Sequence, residues 1–120
     1  MRVLIVDDSK VMRMIVVRAL RQANLGNVEV AEAEDGQQGL DSVKSFAPDL
    51  ILSDWNMPNM SGIEFLRALR ATGNTTTFGF ITSETHPALK EEALSTGANF
   101  LVTKPFNPEQ FADLLGAVSS

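Results

Sequence analysis

Val3-Leu4-Ile5-Val6-Asp7-Asp8-Ser9, near the start of the chain, and Leu50-Ile51-Leu52-Ser53-Asp54, near its middle, decide how the rest folds. Each is a short apolar run, with β-branched residues, that ends on acid. Such a run has no polar face and reads as a strand buried on both sides. Parallel sheets covered by helices on both faces hide strands in this way. Their neighbouring strands need crossover connections, which are right-handed.

The sequence around the two runs supplies the crossovers. Ser9 caps a helix from Lys10 to about Ala23, with Gly26 as its stop. Val28 to Ala33 alternates apolar and acidic residues, as an edge strand does. Asp35 caps a helix over Gly36 to Phe46, closed by Pro48, and the strand Leu50 to Ser53 follows. Asp54 to Ser61 is a loop rich in Asn and Pro, and Ser61 caps a helix to about Ala71. A polar link, Thr72 to Thr76, leads to a strand over Thr77 to Thr82. Pro87 and Gly97 bracket the next helix, before the strand Phe100 to Thr103. A last helix starts with Asn107 as cap and Pro108 in its first turn, and runs to about Val118. Five strand–helix units in this length fit the doubly wound, flavodoxin-like α/β arrangement in the order 2-1-3-4-5, an order taken from that known class and not from the residues.

Composition agrees. The 120 residues suit one domain over 1–120 that buries roughly two-thirds of its unfolded surface. A net charge of −5 argues against nucleic-acid binding. The absence of cysteine removes disulfides, thiolate metal sites and a Cys nucleophile. The N-terminal apolar run is too short for a signal peptide or a membrane span, so the expected location is cytoplasmic, with no membrane insertion.

In a doubly wound sheet, ligands bind beyond the carboxyl ends of the strands. The residues there are Asp7 and Asp8, then Asp54, then Thr82 and Ser83, then Lys104. Two carboxylates about 5 Å apart repel by roughly 3 kcal/mol at an effective dielectric near 20, so a cluster of them calls for a cation. A thiol-free, all-oxygen set in a pocket open to water suits Mg²⁺. A carboxylate beside such a cation, with an ammonium and a hydroxyl reaching in, is placed for phosphoryl transfer. Asp54, at the mouth of the central strand, is the candidate acceptor; Lys104 and Thr82 are the groups that meet the phosphoryl oxygens.

The spaced set Asp7-Asp8, Asp54, Thr82 and Lys104-Pro105-Phe106, with the run Ser53-Asp54-Trp55-Asn56-Met57-Pro58-Asn59-Met60, resembles a response-regulator receiver domain of the chemotaxis, CheY-like type. That type is known for the strand order given above. The resemblance covers essentially the whole chain. It implies a two-component signalling protein that takes a phosphoryl group from a histidine kinase or phosphotransfer domain onto Asp54 and switches its binding to an output partner. It also implies Mg²⁺ held by Asp8, Asp54 and the backbone carbonyl of Asn56, with Asp7 acting through water. Lys104, aimed by the Pro105 turn, would pair with the phosphoryl oxygens, and Thr82 would move toward them as the switch. Asn56 and Glu84 would tune the lifetime of the aspartyl phosphate. Members of the family help their own phosphorylation and dephosphorylation without being enzymes in the usual sense.

One position departs from the pattern. Where receivers carry an aromatic three residues before the Lys, this chain has Leu101; Phe100 is one residue off and falls on the opposite face of its strand. Around the first helix, Lys10, Arg13, Arg18 and Arg21 share an arc of roughly 140° with Met14 and Val17, which reads as a solvated face or a docking patch; the resemblance implies that this helix meets the phosphodonor. Three other readings compete. A phosphatase of the haloacid-dehalogenase type also uses an Asp after a buried strand, but needs a second Asp where this chain has Asn56. A phosphorylation-independent interaction domain would have little use for the full acidic set. FMN binding, on the same topology, conflicts with Asp7-Asp8, which would repel a phosphate.

Overall fold

The computed structural model describes residues 1–23, 26–84, 86–104, 109–110 and 112–113. Its elements alternate: β1 (Arg2–Val6), α1 (Lys10–Gln22), β2 (Glu29–Ala33), α2 (Gly36–Phe46), β3 (Leu50–Ser53), α3 (Gly62–Ala71), β4 (Thr77–Thr82), α4 (Pro87–Thr96) and β5 (Phe100–Thr103). All strand pairs are parallel, in the order β2-β1-β3-β4-β5. The doubly wound expectation therefore holds. Residues 109–110 and 112–113 are helical; the Asn107 cap, Pro108 and the helix end near Val118 lie outside the described residues, as does Pro105.

Strand pleat divides the core in two. Leu4, Val6, Ile51, Phe78 and Phe80 face one side, where Val43, Phe65, Leu66 and Leu69 from α2 and α3 cover them. Val3, Ile5, Leu50, Leu52, Ile81 and Phe100 face the other, against Val16, Ala19 and Leu20 of α1. Both faces of β1, β3 and β4 are thus dry, which explains why their sequences carry no polar alternation.

Local chemistry sets the helix ends. Ser9 and Asp35 accept from the backbone N–H groups of Met12 and Gln38, and Ser61 and Glu64 form a capping box at α3. Gly97 ends α4 in the left-handed conformation (φ 115°). Gly26 does not stop α1. That helix ends at Gln22, capped by Ala23, whose N–H already reaches the carbonyls of Ala19 and Arg21, and Gly26 (φ 84°) lies beyond. Among the described residues no helix is long and apolar enough to cross a membrane.

Candidate functional site

The register builds the site. Val6 pairs with Ser53, so Asp7 and Asp54 leave the sheet side by side, and the Asp54 N–H donates to the Val6 carbonyl at 2.9 Å. Thr82 pairs with Thr103, and the Lys104 N–H donates to the Thr82 carbonyl at 2.7 Å. Four strand ends so converge on one crevice, at the reversal of strand order between β1 and β3.

Within it, one carboxylate oxygen each from Asp7, Asp8 and Asp54 lies within 4.8 Å of the others. Lys104 Nζ stands 3.7 Å from both Asp7 Oδ2 and Asp54 Oδ1, an ion-pair distance too long for a direct hydrogen bond. Backbone amides orient the acids: Ser9 N–H donates to Asp7 Oδ1 and Trp55 N–H to Asp54 Oδ1, each at 2.8 Å. Thr82 is fully buried, and its hydroxyl oxygen accepts from the Glu84 N–H at 3.1 Å. Across the mouth, Asn56 Nδ2 donates to Glu84 Oε1 at 3.3 Å. The structure therefore brings Asp7, Asp8, Asp54 and Lys104 together, with Thr82 bonded to Lys104 through the backbone; Pro105 lies outside the described residues.

Leu101 is half-buried and packs on the same core as Phe80, its partner in register, whereas Phe100 lies on the opposite face. The reason is local. The Phe100 ring sits over Gly79, where any Cβ would meet it at 2.0 Å. Trp55 is more deeply buried than a semi-exposed neighbour of the site would be, with its ring 4.7 Å from that of Phe80.

The α1 face needs correction. Arg13 is not part of an exposed patch: it is buried, its Nη1 donates to the Asp7 carbonyl at 2.6 Å and its Nε to Glu32 Oε1 at 2.9 Å. Val17 turns half inward against Val16 and Leu20. The stripe Arg13, Val16, Leu20 has helical spacing, so extending the apolar pattern back by one turn would have put Arg13 on the inner face. What remains outside is Lys10, Met14, Arg18 and Arg21, joined by Val11 and Ile15. Sequence reasoning also missed Gly62, whose N–H donates to the Trp55 carbonyl at 2.8 Å behind Asp54. No motif marks it, because its importance is a matter of space.

Burial raises the Asp7 and Asp54 pKa values above the ordinary aspartate range; the Asp7 charge pushes Asp54 up further, while the Lys104 ammonium opposes both rises. A raised folded-state pKa means that ionisation disfavours the fold. The penalty is absent below the ordinary aspartate pKa, grows as pH rises from there toward the raised values, and is fully present above them. Asp54→Asn should therefore stabilise the metal-free protein near neutral pH, and the gain should shrink toward about pH 4. Urea melts of both proteins in a chelator check this. An equal gain at both pH values would show that the carboxylate charge is not its source.

The response regulator receiver domain family matches residues 3–116. A probable chemotaxis protein CheY from Rhizobium etli is 40% identical over 119 residues, covering 98% of this chain and 91% of its own. The chemotaxis protein CheY of Pseudomonas aeruginosa is 40% identical over 111 residues, covering 91% and 88%. Among solved structures, Vibrio cholerae CheY4 superposes with a TM-score of 0.86 at 39% identity, covering 98% of this chain and 97% of that one. The receiver domain of a Mycobacterium tuberculosis putative response regulator, NarL, gives 0.88 at 31%, covering 98% and 94%. With the acidic crevice, the strand order and the match along nearly its whole length in agreement, the chain belongs to the response regulator receiver domain family.

Proposed function

We propose that this protein is a cytoplasmic phosphorylation switch of two-component chemotaxis signalling, in which Asp54 accepts a phosphoryl group from a phosphohistidine. The observation that carries the reading is the placement of Lys104 Nζ, 3.7 Å from both Asp7 and Asp54, beside three clustered carboxylates. The chemotaxis names of the relatives support the pathway. Both close contacts to Asp54 fall on Oδ1, which leaves Oδ2 to attack phosphorus. The O–P bond forms as the N–P bond of the donor imidazole breaks. Lys104 then turns from the two carboxylates to the phosphoryl oxygens, and the Thr82 hydroxyl follows as donor, giving up its bond from Glu84 N–H. Leu101, packed near this path, adjusts to the space Thr82 leaves and carries the change to an output partner. Asn56 and Glu84, linked across the mouth, govern water access and so the lifetime of the acyl phosphate. The exposed α1 residues Lys10, Met14, Arg18 and Arg21 offer the face for the phosphodonor.

The donor set fits Mg²⁺. Asp7, Asp8 and Asp54 bring one carboxylate oxygen each within 4.8 Å of the others, a hard, all-oxygen set of the kind such an ion takes. Asp8, Asp54 and the Asn56 carbonyl would hold the ion, with Asp7 behind water. Bound there, Mg²⁺ supplies positive charge for the phosphoryl oxygens in transfer.

Trp55, the only tryptophan, bonds Asp54 through its amide and reports the site. Its emission should change on Mg²⁺ addition, and Asp8→Ala should weaken the apparent affinity at least tenfold, because outer as well as direct ligands carry that much. Equal affinity in Asp8→Ala would put the ion elsewhere and overturn the metal assignment.

A further inference from the structure

Asp7 is tied down at every polar atom. Its N–H donates to the Ala33 carbonyl at 3.1 Å, Oδ1 accepts from Ser9 N–H, Oδ2 faces Lys104, and its carbonyl accepts from Arg13 Nη1. The last bond is the informative one. The Asp7 carbonyl and the Asp8 nitrogen belong to one rigid peptide plane, so fixing the carbonyl direction fixes where the Asp8 Cα begins. Asp8 is exposed, and its backbone starts from that plane.

Arg13 is built for this task at a cost. Arg13 is only 8% exposed, and a buried charge is unfavourable unless it is paired and bonded. Glu32, at the end of β2, takes Nε but is itself nearly half exposed, so it compensates in part only. The short bond to the Asp7 carbonyl supplies the rest, and the planar fork of Arg is what lets one side chain reach both partners.

We infer that Arg13, braced by Glu32, is a positioning residue that orients the Asp7–Asp8 peptide and so presets the Asp8 carboxylate for the divalent cation. The inference rests on the metal reading above and adds to it a chain from Glu32 through Arg13 and the Asp7 carbonyl to Asp8. A purely structural Arg would stabilise the fold with no coupling to Asp8 in particular.

The test is a double-mutant cycle on Mg²⁺ affinity, read by Trp55 emission, with Arg13→Lys, Asp8→Ala and the double variant, and urea melts in a chelator for each. Lys reaches one partner at most. Arg13→Lys should therefore weaken Mg²⁺ by about tenfold, as loss of an outer-shell partner does, yet cause no further weakening when Asp8 is already Ala. In the metal-free protein, the backbone amide resonance of Asp8 should move in Arg13→Lys by ¹⁵N-resolved NMR. Should Arg13→Lys fail to fold, Glu32→Gln, on the wetter side of the pair, should show a smaller loss with the same dependence on Asp8. Unchanged Mg²⁺ affinity, or an equal loss with and without Asp8, overturns the inference. A wild-type response that ignores Asp8→Ala instead overturns the metal reading, and the inference falls with it.

Discussion

Gly62→Ala is expected to destabilise the protein by about 3 kcal/mol, at the upper end of ordinary overpacking. In an exposed helix the same change stabilises by roughly 0.5–1 kcal/mol, so the sign itself is diagnostic. A Cβ on Gly62 would stand 2.1 Å from the Asp54 carbonyl oxygen and 2.8 Å from the Phe80 ring. Neither neighbour can swing away: one is backbone, the other a fully buried aromatic. Relief therefore requires the Asp54 backbone or the start of α3 to move, which breaks the bond from Gly62 N–H to the Trp55 carbonyl and carries Asp54 away from Lys104. Gly36→Ala is the contrast. Its Cβ would meet the side chain of Met60 at 2.7 Å, and the flexible thioether arm can yield part of the way, so the loss should be smaller. Urea unfolding midpoints rank the variants. A Gly62→Ala protein as stable as wild type would mean that the loop after β3 is not packed as described.

How far the site could be read from sequence depends on the kind of signal each residue leaves. Asp7, Asp8, Asp54, Thr82 and Lys104 each follow or end a buried strand, and a parallel sheet brings strand ends together whatever the loops do. Those positions were legible because short apolar runs mark the strands. The cap residues Ser9, Asp35 and Ser61 were legible for a similar reason, since a short oxygen side chain before a periodic apolar stretch has one main use. Arg13 was misassigned because its charge suggested water, whereas the stripe through Val16 and Leu20 turns it inward to two acceptors. Phe100 shows the opposite case: strand alternation put it on the correct face, but only packing shows that Gly79 leaves the space its ring fills. Gly62 and the Asn56–Glu84 contact depend on distances between loops, which no local pattern encodes.

The central claim is that Asp54 is the phosphoacceptor, and the acceptor substitution has the largest effect expected of any change to this protein. Asp54→Asn keeps the side-chain oxygen that accepts from Trp55 N–H, so the crevice should stay folded. It replaces the other oxygen with an amide nitrogen, whose lone pair is delocalised and cannot attack phosphorus. Asp7 and Asp8 are no substitutes: Asp7 is buried with both oxygens facing Ser9 N–H and Lys104, and Asp8 is the proposed ligand of the cation. Intact-mass spectrometry after incubation with acetyl phosphate and Mg²⁺ measures this directly. The wild-type protein should gain one phosphate-sized increment that survives acid and is lost in base, as an acyl phosphate is, and Asp54→Asn should gain none. A phosphate-sized gain that persists in Asp54→Asn would contradict the assignment.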